Sequence, residues 1–397
     1  SSGLPFDSEP ARKKTVKGVV KRKGEDKKIM QVCFCVVDMD YQNGILKVVR
    51  NIANKLAMDE KFEITVLSYM ELKGKEKCRF SENIEIKTLG IPLKKKNKWR
   101  YFCMIPKLKK FFKDNSYDCC IVSGMEYGIS FFLAGIQRKV PIIAWEHLNF
   151  FKGPIFRLEW LGKRIALKFF AGILTITKRD QALYLQRNGK AKVFQIYNLV
   201  QWEEIQVPYN IKSKKIVSCG FLTEVKGFDM LVQVAKQCLP KHPDWSWDIY
   251  GEGVEKENLQ NLIKESQLDK QIFLKGYCDR MNEQYSQYSF FVLTSRLEGM
   301  GMVMIEAQKA GLPVVAFDVL CGPSDIIKDG VNGNLIPPFN IQIMADRIED
   351  LMIHEDKRML YSQQSKICHE ELDSKIIIFR WKQMLKSIVE GNINKDE

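Results

Sequence analysis

The feature that most narrows what this chain can fold into is a rhythm of short apolar runs and helical stretches that stops once and then restarts. Residues 30–37, "MQVCFCVV", are a buried-strand run, and "NGILKVVRNIANKLA" follows with Ile45, Val48, Val49, Ile52 and Leu56 at helical spacing. "FEITVLSY", "SYDCCIVSG", "VPIIAWEH", "FAGILTITK" and "KVFQIYNLV" are further strands with helical stretches between them. Strands that alternate with helices imply a parallel sheet with crossover helices. The rhythm breaks at about 199–213, where "LVQWEEIQVPYNIKS" is polar and aperiodic. It resumes with the strands "KIVSCGFL", "WSWDIYGEG", "QIFLKGY", "SFFVLTS" and "PVVAFD", interleaved with helices such as "KGFDMLVQVAKQCL". A chain of 397 residues is too long for one ordinary core. The reading is α/β throughout: a basic arm at 1–28, a first domain at 29–198, a linker at 199–213, a second domain at 214–375, and a terminal helix at 376–397 with the option of crossing back to the first domain.

Hydrophobic residues make up 45% and charged residues 28%, a globular balance, and no apolar run reaches the roughly 18–20 residues of a spanning helix. The first 28 residues have no apolar core of the secretory type. Eleven cysteines are scattered, several inside apolar runs, with no CxxC pair. They read as buried reduced thiols of a cytoplasmic protein. Four histidines occur, none at metal spacing from another. The net charge of +14 is concentrated in 12–28, 92–100 and 107–113. Such a balance suits nucleic acid, anionic lipid or phosphorylated substrates. With no helix-turn-helix, zinc-finger or RNP-type motif, nucleic acid is set aside and a membrane surface or a phosphate substrate remains.

Residues 294–318, "TSRLEGMGMVMIEAQKAGLPVVAFD", carry the chemistry. A strand ends and a loop begins at Ser295. Gly299 and Gly301 leave backbone open to a ligand. A helix then starts near Met302, and its free N–H groups and positive dipole end form an anion site. Pyrophosphate is the natural ligand of such a loop at the carboxyl edge of a parallel sheet. Glu298, in the loop, can accept hydrogen bonds from a sugar. Glu306, about one turn inside the helix, can accept them from a ribose diol. An acid that merely stabilises the helix dipole explains either glutamate alone, but not both together with the glycines and the "AGLP" turn.

This segment resembles the E-x7-E signature of retaining glycosyltransferase family 4, and the similarity extends over roughly residues 30–370. "GFLTEVKGFDML" resembles the family's GRLxxxKGxDxL loop, "IYGEGVEKENLQNLI" its G-x-G–helix unit, and "FLKGY" its base-binding strand end. "GPSDIIKDGVNGNLI" resembles the stretch after the signature helix, "NGILKVVRNIANKL" the glycine loop, and "AWEHLNFF" the EHN segment. The resemblance implies a GT-B fold, two Rossmann-like domains facing across a cleft. It also implies the site residues: Glu298, His147 and Lys226 as the catalytic set, and Gly44, Gly220, Lys226, Gly251, Tyr277, Glu298, Gly299, Met300, Gly301, Met302, Val303 and Glu306 around the donor. Two positions depart from the pattern. Phe221 stands where the family usually has Arg, with Arg296 as a substitute cation, and Asn43–Gly44 replaces Gly-Gly.

On that basis the expected activity is transfer of a sugar from a nucleotide-diphosphate sugar, UDP-sugar first, to a glycan or lipid-linked glycan. The resemblance implies retention by front-face attack, with Lys226, the Gly44 loop and the N–H groups of Met302 and Val303 stabilising the leaving diphosphate. No cofactor and no metal site is expected, and Asp38 and Asp40, a DxD string, read as loop residues. The acceptor side offers basic residues among aromatics: Trp99, Arg100, Tyr101, Phe102, Lys107, Lys109, Lys110, Phe111 and Phe112, then Phe156, Arg157, Trp160, Leu161, Lys163, Arg164, Leu167, Lys168 and Phe169. Such a surface can lie on an anionic bilayer, which would place the protein peripherally on the inner face of the membrane. The same pattern also fits packed aromatics beneath a solvated lysine face. Two other functions are open to the sequence: a sugar-nucleotide epimerase of the same fold, which needs no acceptor, and a catalytically weakened sugar-binding homologue, suggested by Phe221.

Overall fold

The computed structural model describes residues 29–39, 44–71, 80–92, 99–151, 158–200, 209–367 and 370–393. The expectations for the arm at 1–28, for Asp40, Asn43, Phe156 and Arg157, for the side chains of Trp99 and Arg100, and for most of the linker lie outside the described residues.

Two parallel sheets organise the chain. The first holds β1 (Met30–Val36), β2 (Phe62–Met70), β3 (Glu85–Ile91), β4 (Cys119–Ser123), β5 (Ile142–Trp145), β6 (Gly172–Thr175) and β7 (Lys192–Gln195), in the order β3-β2-β1-β4-β5-β6-β7. The second holds β8 (Lys215–Cys219), β9 (Ser246–Tyr250), β10 (Ile272–Gly276), β11 (Phe290–Leu293), β12 (Val314–Phe317) and β13 (Gly333–Ile336), in the order β10-β9-β8-β11-β12-β13. Inner strands such as "CCIVS" and "FFVL" are buried along their whole length, as strands covered by helices on both faces must be. The sequence reading assigned no strand to β3 or β13. Both are edges: β3 is only partly buried and β13 has four residues beginning with glycine, so neither needs a long apolar run.

Helices connect and cover the strands. In chain order they are α1 (Gly44–Ala57), α2 (Trp99–Asp114), α3 (Gly128–Ala134), α4 (Leu158–Phe169), α5 (Lys178–Leu185), α6 (Phe228–Cys238), α7 (Lys256–Glu265), α8 (Met281–Gln284), α9 (Met302–Lys309), α10 (Pro323–Ile326), α11 (Ile341–Ile353), α12 (Glu355–Ile367) and α13 (Ser374–Ile393). In α1, Leu46, Val48, Val49, Ile52, Ala53 and Leu56 are buried, while Lys47 and Lys55 face out. That is the apolar stripe of an amphipathic helix laid on a sheet. The last helix, α13, packs on the first sheet rather than the second. Trp381 is buried against the rings of Phe34 (centroids 5.8 Å apart) and Trp145 (4.8 Å), and Lys382 pairs with Asp59.

Each sheet reverses its strand order once, between β1 and β4 and between β8 and β11. Crevices outside the carboxyl ends of strands at such reversals are where open α/β sheets bind ligands. The loops after β1, β5, β8, β9, β10 and β11 therefore set the site.

Candidate active site

On the rim of the second sheet, β8 runs into Gly220 and then Phe221, which is 58% exposed. A single turn at Glu224–Lys226 brings Lys226 back over the loop that follows β11. Its Nζ lies 2.6 Å from Glu298 Oε1, and the Ser295 hydroxyl donates to the same oxygen at 2.6 Å. Glu298 is buried, so this carboxylate is held by a cation and a hydroxyl instead of water. Gly301 caps α9 with φ 73°, and no side chain caps the helix start. The first N–H groups of α9, at Met302 and Val303, therefore point out of the helix as anion donors. Met300 is buried and its sulfur accepts from the Asn198 N–H at 3.4 Å. Glu306 sits one turn into α9, and burial pushes its carboxyl pKa up, opposed by the nearby Lys47. Tyr277, at the end of β10, is well exposed, and its hydroxyl donates to Asp279.

One expectation changes, and one position has a second role. Arg296 does not fill the place of the missing Arg: its guanidinium donates to both oxygens of Asp229 at 2.7 and 2.6 Å and to the Glu224 carbonyl, which holds it against α6. Gly251 has a packing reason of its own, because a Cβ there would lie 1.8 Å from the Gly220 carbonyl oxygen. It lets two strand-end loops touch, whatever else it contacts.

The rim of the first sheet is built differently. After β5 comes Glu146-His147-Leu148-Asn149, and this loop is tied from beneath. Lys163 of α4 pairs with Glu146 Oε2 at 3.0 Å and donates to the carbonyls of Asn149 and Phe150 at 2.6 and 2.9 Å. Tyr184 of α5 donates to Glu146 Oε2 at 2.8 Å, and the Phe150 N–H donates to Asp180 Oδ1 at 2.7 Å. All four side chains are buried. Burial and the neighbouring Glu146 raise the Asp180 pKa to about 7, against the lowering effect of the Phe150 N–H and Lys163. His147 stacks beside Trp145 at 4.5 Å. Burial drops its pKa to about 3, so the imidazole is neutral, and its buried Nε2 has no protein partner.

Lys163 therefore leaves the basic-aromatic surface that the sequence suggested: it is a buried ion-pair partner. Phe112 and Leu167 are buried too, and Lys107 donates to the carbonyls of Leu89 and Gly90. Phe102, Leu161, Arg164, Lys168 and Phe169 remain on the surface, with Phe169 against Phe132 at 4.5 Å.

The two rims touch. Asn149 Nδ2 donates to the Glu298 carbonyl at 3.1 Å, and a Cβ on Gly299 would lie 2.5 Å from the His147 carbonyl oxygen. Arg179 forks onto Asp318 at 2.8 and 3.1 Å, and Asp325 accepts from the Tyr197 hydroxyl and the Lys178 N–H. Lys47, on α1 just after Gly44, reaches Glu306 at 3.5 Å. The fold thus gathers Gly44, His147, Gly220, Lys226, Glu298–Val303 and Glu306 at facing carboxyl edges, with Tyr277 farther out on an edge strand. Sequence reasoning missed the roles of Lys163, Asp180 and Asp325. No local motif marks them, because each acts on a loop distant in the chain.

Among the described residues one group has metal-ligand character: the sulfurs of Cys33, Cys35 and Cys120 lie within 4.8 Å of one another. Three thiolates around an ion would leave net negative charge in an apolar core. The thiols pack there as small apolar groups.

Two parallel α/β sheets whose carboxyl edges share one rim are the GT-B architecture. The chain matches the family "Glycosyl transferases group 1" over residues 201–367 and "Glycosyltransferase Family 4" over 42–203. The two matches follow one another along residues 42–367, and the chain is an enzyme of the glycosyltransferase class. An uncharacterized glycosyltransferase of Haemophilus influenzae is 28% identical over 362 residues, covering 89% of this chain and 99% of that protein. The poly(ribitol-phosphate) alpha-N-acetylglucosaminyltransferase of Staphylococcus aureus is 35% identical over 182 residues, 46% of this chain and 36% of that protein. Among solved structures, TarM superposes with a TM-score of 0.77 at 16% identity, over 91% of this chain and 100% of that one. The pneumococcal O-GlcNAc transferase GtfA, solved with UDP and GlcNAc, gives 0.73 at 15% identity, over 91% and 99%.

Proposed function

We propose that this enzyme transfers a sugar, with retention of anomeric configuration, from a UDP-sugar to a glycan or lipid-linked glycan acceptor at an anionic membrane surface on the cytoplasmic side. The observation that carries the reading is the Lys226–Glu298 pair set beside the open start of α9, in a loop that packs against the loop carrying His147. In this reading the diphosphate lies at the α9 N-terminus with Lys226, the ribose diol on Glu306, the base near Tyr277 and the donor sugar on Glu298. As the anomeric C–O bond breaks, negative charge grows on the β-phosphate. Fixed N–H dipoles and an ammonium stabilise it without reorganising. The β-phosphate oxygen then takes the acceptor proton while the acceptor oxygen bonds to the anomeric carbon from the same face. His147, neutral at working pH, offers a hydrogen bond to a sugar hydroxyl. UDP is favoured because solved proteins of like fold hold it, and a phosphate-rich polymer acceptor is in keeping with the names of two relatives. No metal enters this scheme, so a chelator should leave transfer unchanged.

No helix among the described residues is long and apolar enough to cross a membrane. Support for membrane contact is the exposed set Phe102, Leu133, Leu161, Arg164, Lys168 and Phe169 on α2, α3 and α4. Each lysine or arginine near an anionic surface is worth about 1 kcal/mol. The deciding experiment incubates the enzyme with a panel of UDP-sugars and lipid-linked acceptors and determines the anomer formed. An inverted product ends the retaining assignment, and turnover of donor alone to an epimer ends the transferase reading. Liposome flotation with a chain lacking residues 1–28 tests the membrane part. Failure to bind anionic vesicles at low salt would exclude it.

A further inference from the structure

The phosphate end of the cleft is short of one cation on the second sheet. Phe221 stands in place of the expected Arg, and Arg296 is committed to Asp229 by two short bonds. Lys226 is shared with the buried Glu298. A second ammonium does reach this place, from the other domain. Lys47 lies in the first turn of α1, three residues after Gly44, and its Nζ is 3.5 Å from Glu306 Oε1. Glu306 is the fifth residue of α9, so its carboxylate is about one helical turn, roughly 5.4 Å, from the helix start. An ammonium held there is within one side-chain swing of an anion bound at the first N–H groups of α9. The lysine stem is flexible and carries its charge as a point donor. Its side chain is 56% exposed against 19% for Glu306, so the ammonium end of the pair is the one open to solvent and able to swing.

We infer that Lys47 is the second cation of the donor-diphosphate clamp, supplied across the cleft by the first domain, and that Glu306 is its resting partner. This rests on the donor reading above. A ribose diol that donates to Glu306 competes with the ammonium for the same carboxylate. Release of Lys47 then places a positive charge beside the diphosphate as the nucleotide seats. One residue thereby links ribose recognition to phosphate neutralisation, and the first domain gains a direct hold on a donor carried mainly by the second. Lys47 is distinct from the residues assigned to the donor by motif, because α1 shows only its glycine loop in that pattern.

The test is calorimetric titration of wild type, Lys47→Met and Lys47→Arg with UDP and with uridine. A hydrogen bond to a charged group is worth about 1.5–3 kcal/mol, so Lys47→Met should weaken UDP by roughly tenfold to a hundredfold. Uridine, which has the diol and lacks the diphosphate, should bind Lys47→Met as well as wild type or slightly better, since a competitor for Glu306 is gone. Lys47→Arg should keep most of the UDP affinity. Melting temperatures close to wild type show that both variants fold. If UDP and uridine weaken by the same factor, or UDP affinity does not change, Lys47 is only a surface partner of Glu306 and the inference is overturned. Wild-type protein that binds neither nucleotide overturns the donor reading and this inference together. Wild-type binding that Lys47→Met leaves intact overturns this inference alone.

Discussion

The two rims that meet in the cleft solve the same problem by opposite means. The rim of the second sheet is made of short glycine-bearing loops with backbone donors and one lysine, whose side chain is paired with Glu298. The rim of the first sheet is a loop whose exposed part is small and whose support is large: Glu146, Lys163, Tyr184 and Asp180, all buried, fix the backbone from 146 to 150. The contrast shows how a cleft enzyme divides labour. Groups that must release a ligand are held by exchangeable contacts. The loop that carries His147 is held instead by a buried network of charged and hydrogen-bonded side chains. Low local dielectric makes such a network stiff when complete and costly when broken.

The sharpest way to break this comparison is Lys163→Met. Removing one partner of a buried pair leaves Glu146 as an unpaired buried charge, which typically costs about 3–5 kcal/mol. Denaturant unfolding should show a loss of that order, and a loss under 1 kcal/mol would mean that the network is not what holds the first rim. Next comes Glu298→Ala on the second rim. It should fold normally yet lower turnover by about 10²–10³-fold, the scale for removing one preorganised group at a reacting centre. Glu306→Ala should act instead on nucleotide affinity. Wild-type kinetics in both would disprove the site.

Asp180 sharpens the contrast through pH. Its folded pKa, about 7, lies above the ordinary aspartate value, so the folded protein holds the proton more tightly than the unfolded chain. Its contribution to stability is full below about pH 4 and is lost as pH rises through 7. His147 has the opposite sign: with a folded pKa of about 3, it costs stability as pH falls below about 6.5. The difference between wild type and Asp180→Asn isolates the first group. It should grow in favour of the variant between pH 4 and 7, by an amount on the order of 3 kcal/mol. A pH-independent difference would show that Asp180 does not titrate there. The smallest effect is expected from Arg296→Ala. Its bridge to Asp229 is partly exposed, so stability should fall by less than about 1 kcal/mol and nucleotide affinity should not move. A large loss of UDP binding would return Arg296 to the phosphate clamp.

The second rim was legible in the sequence because its chemistry is local. Glu298, Gly299, Gly301, Met302 and Glu306 fall within nine residues, so a strand end, a turn and a helix start fix their relation before any tertiary contact forms. The strand–helix alternation likewise announced two α/β units, because burial on both faces of a parallel sheet demands continuous apolar runs. The edge strands β3 and β13 escaped for the converse reason: an edge needs fewer apolar residues.

What the sequence could not decide is which distant charges pair. Lys163 looked like one more lysine of a basic helix, and Arg296 like a free cation beside the glutamate. Whether a lysine is solvated or buried depends on which helix face the sheet covers, and that is set by packing. Only the fold carries α4 under the loop after β5, so that Lys163 meets Glu146 from 17 residues away, and brings Lys47 within 3.5 Å of Glu306. Apolar periodicity and turn chemistry are written in neighbouring residues, whereas the sign and partner of a charge inside a cleft depend on residues brought together from different parts of the chain.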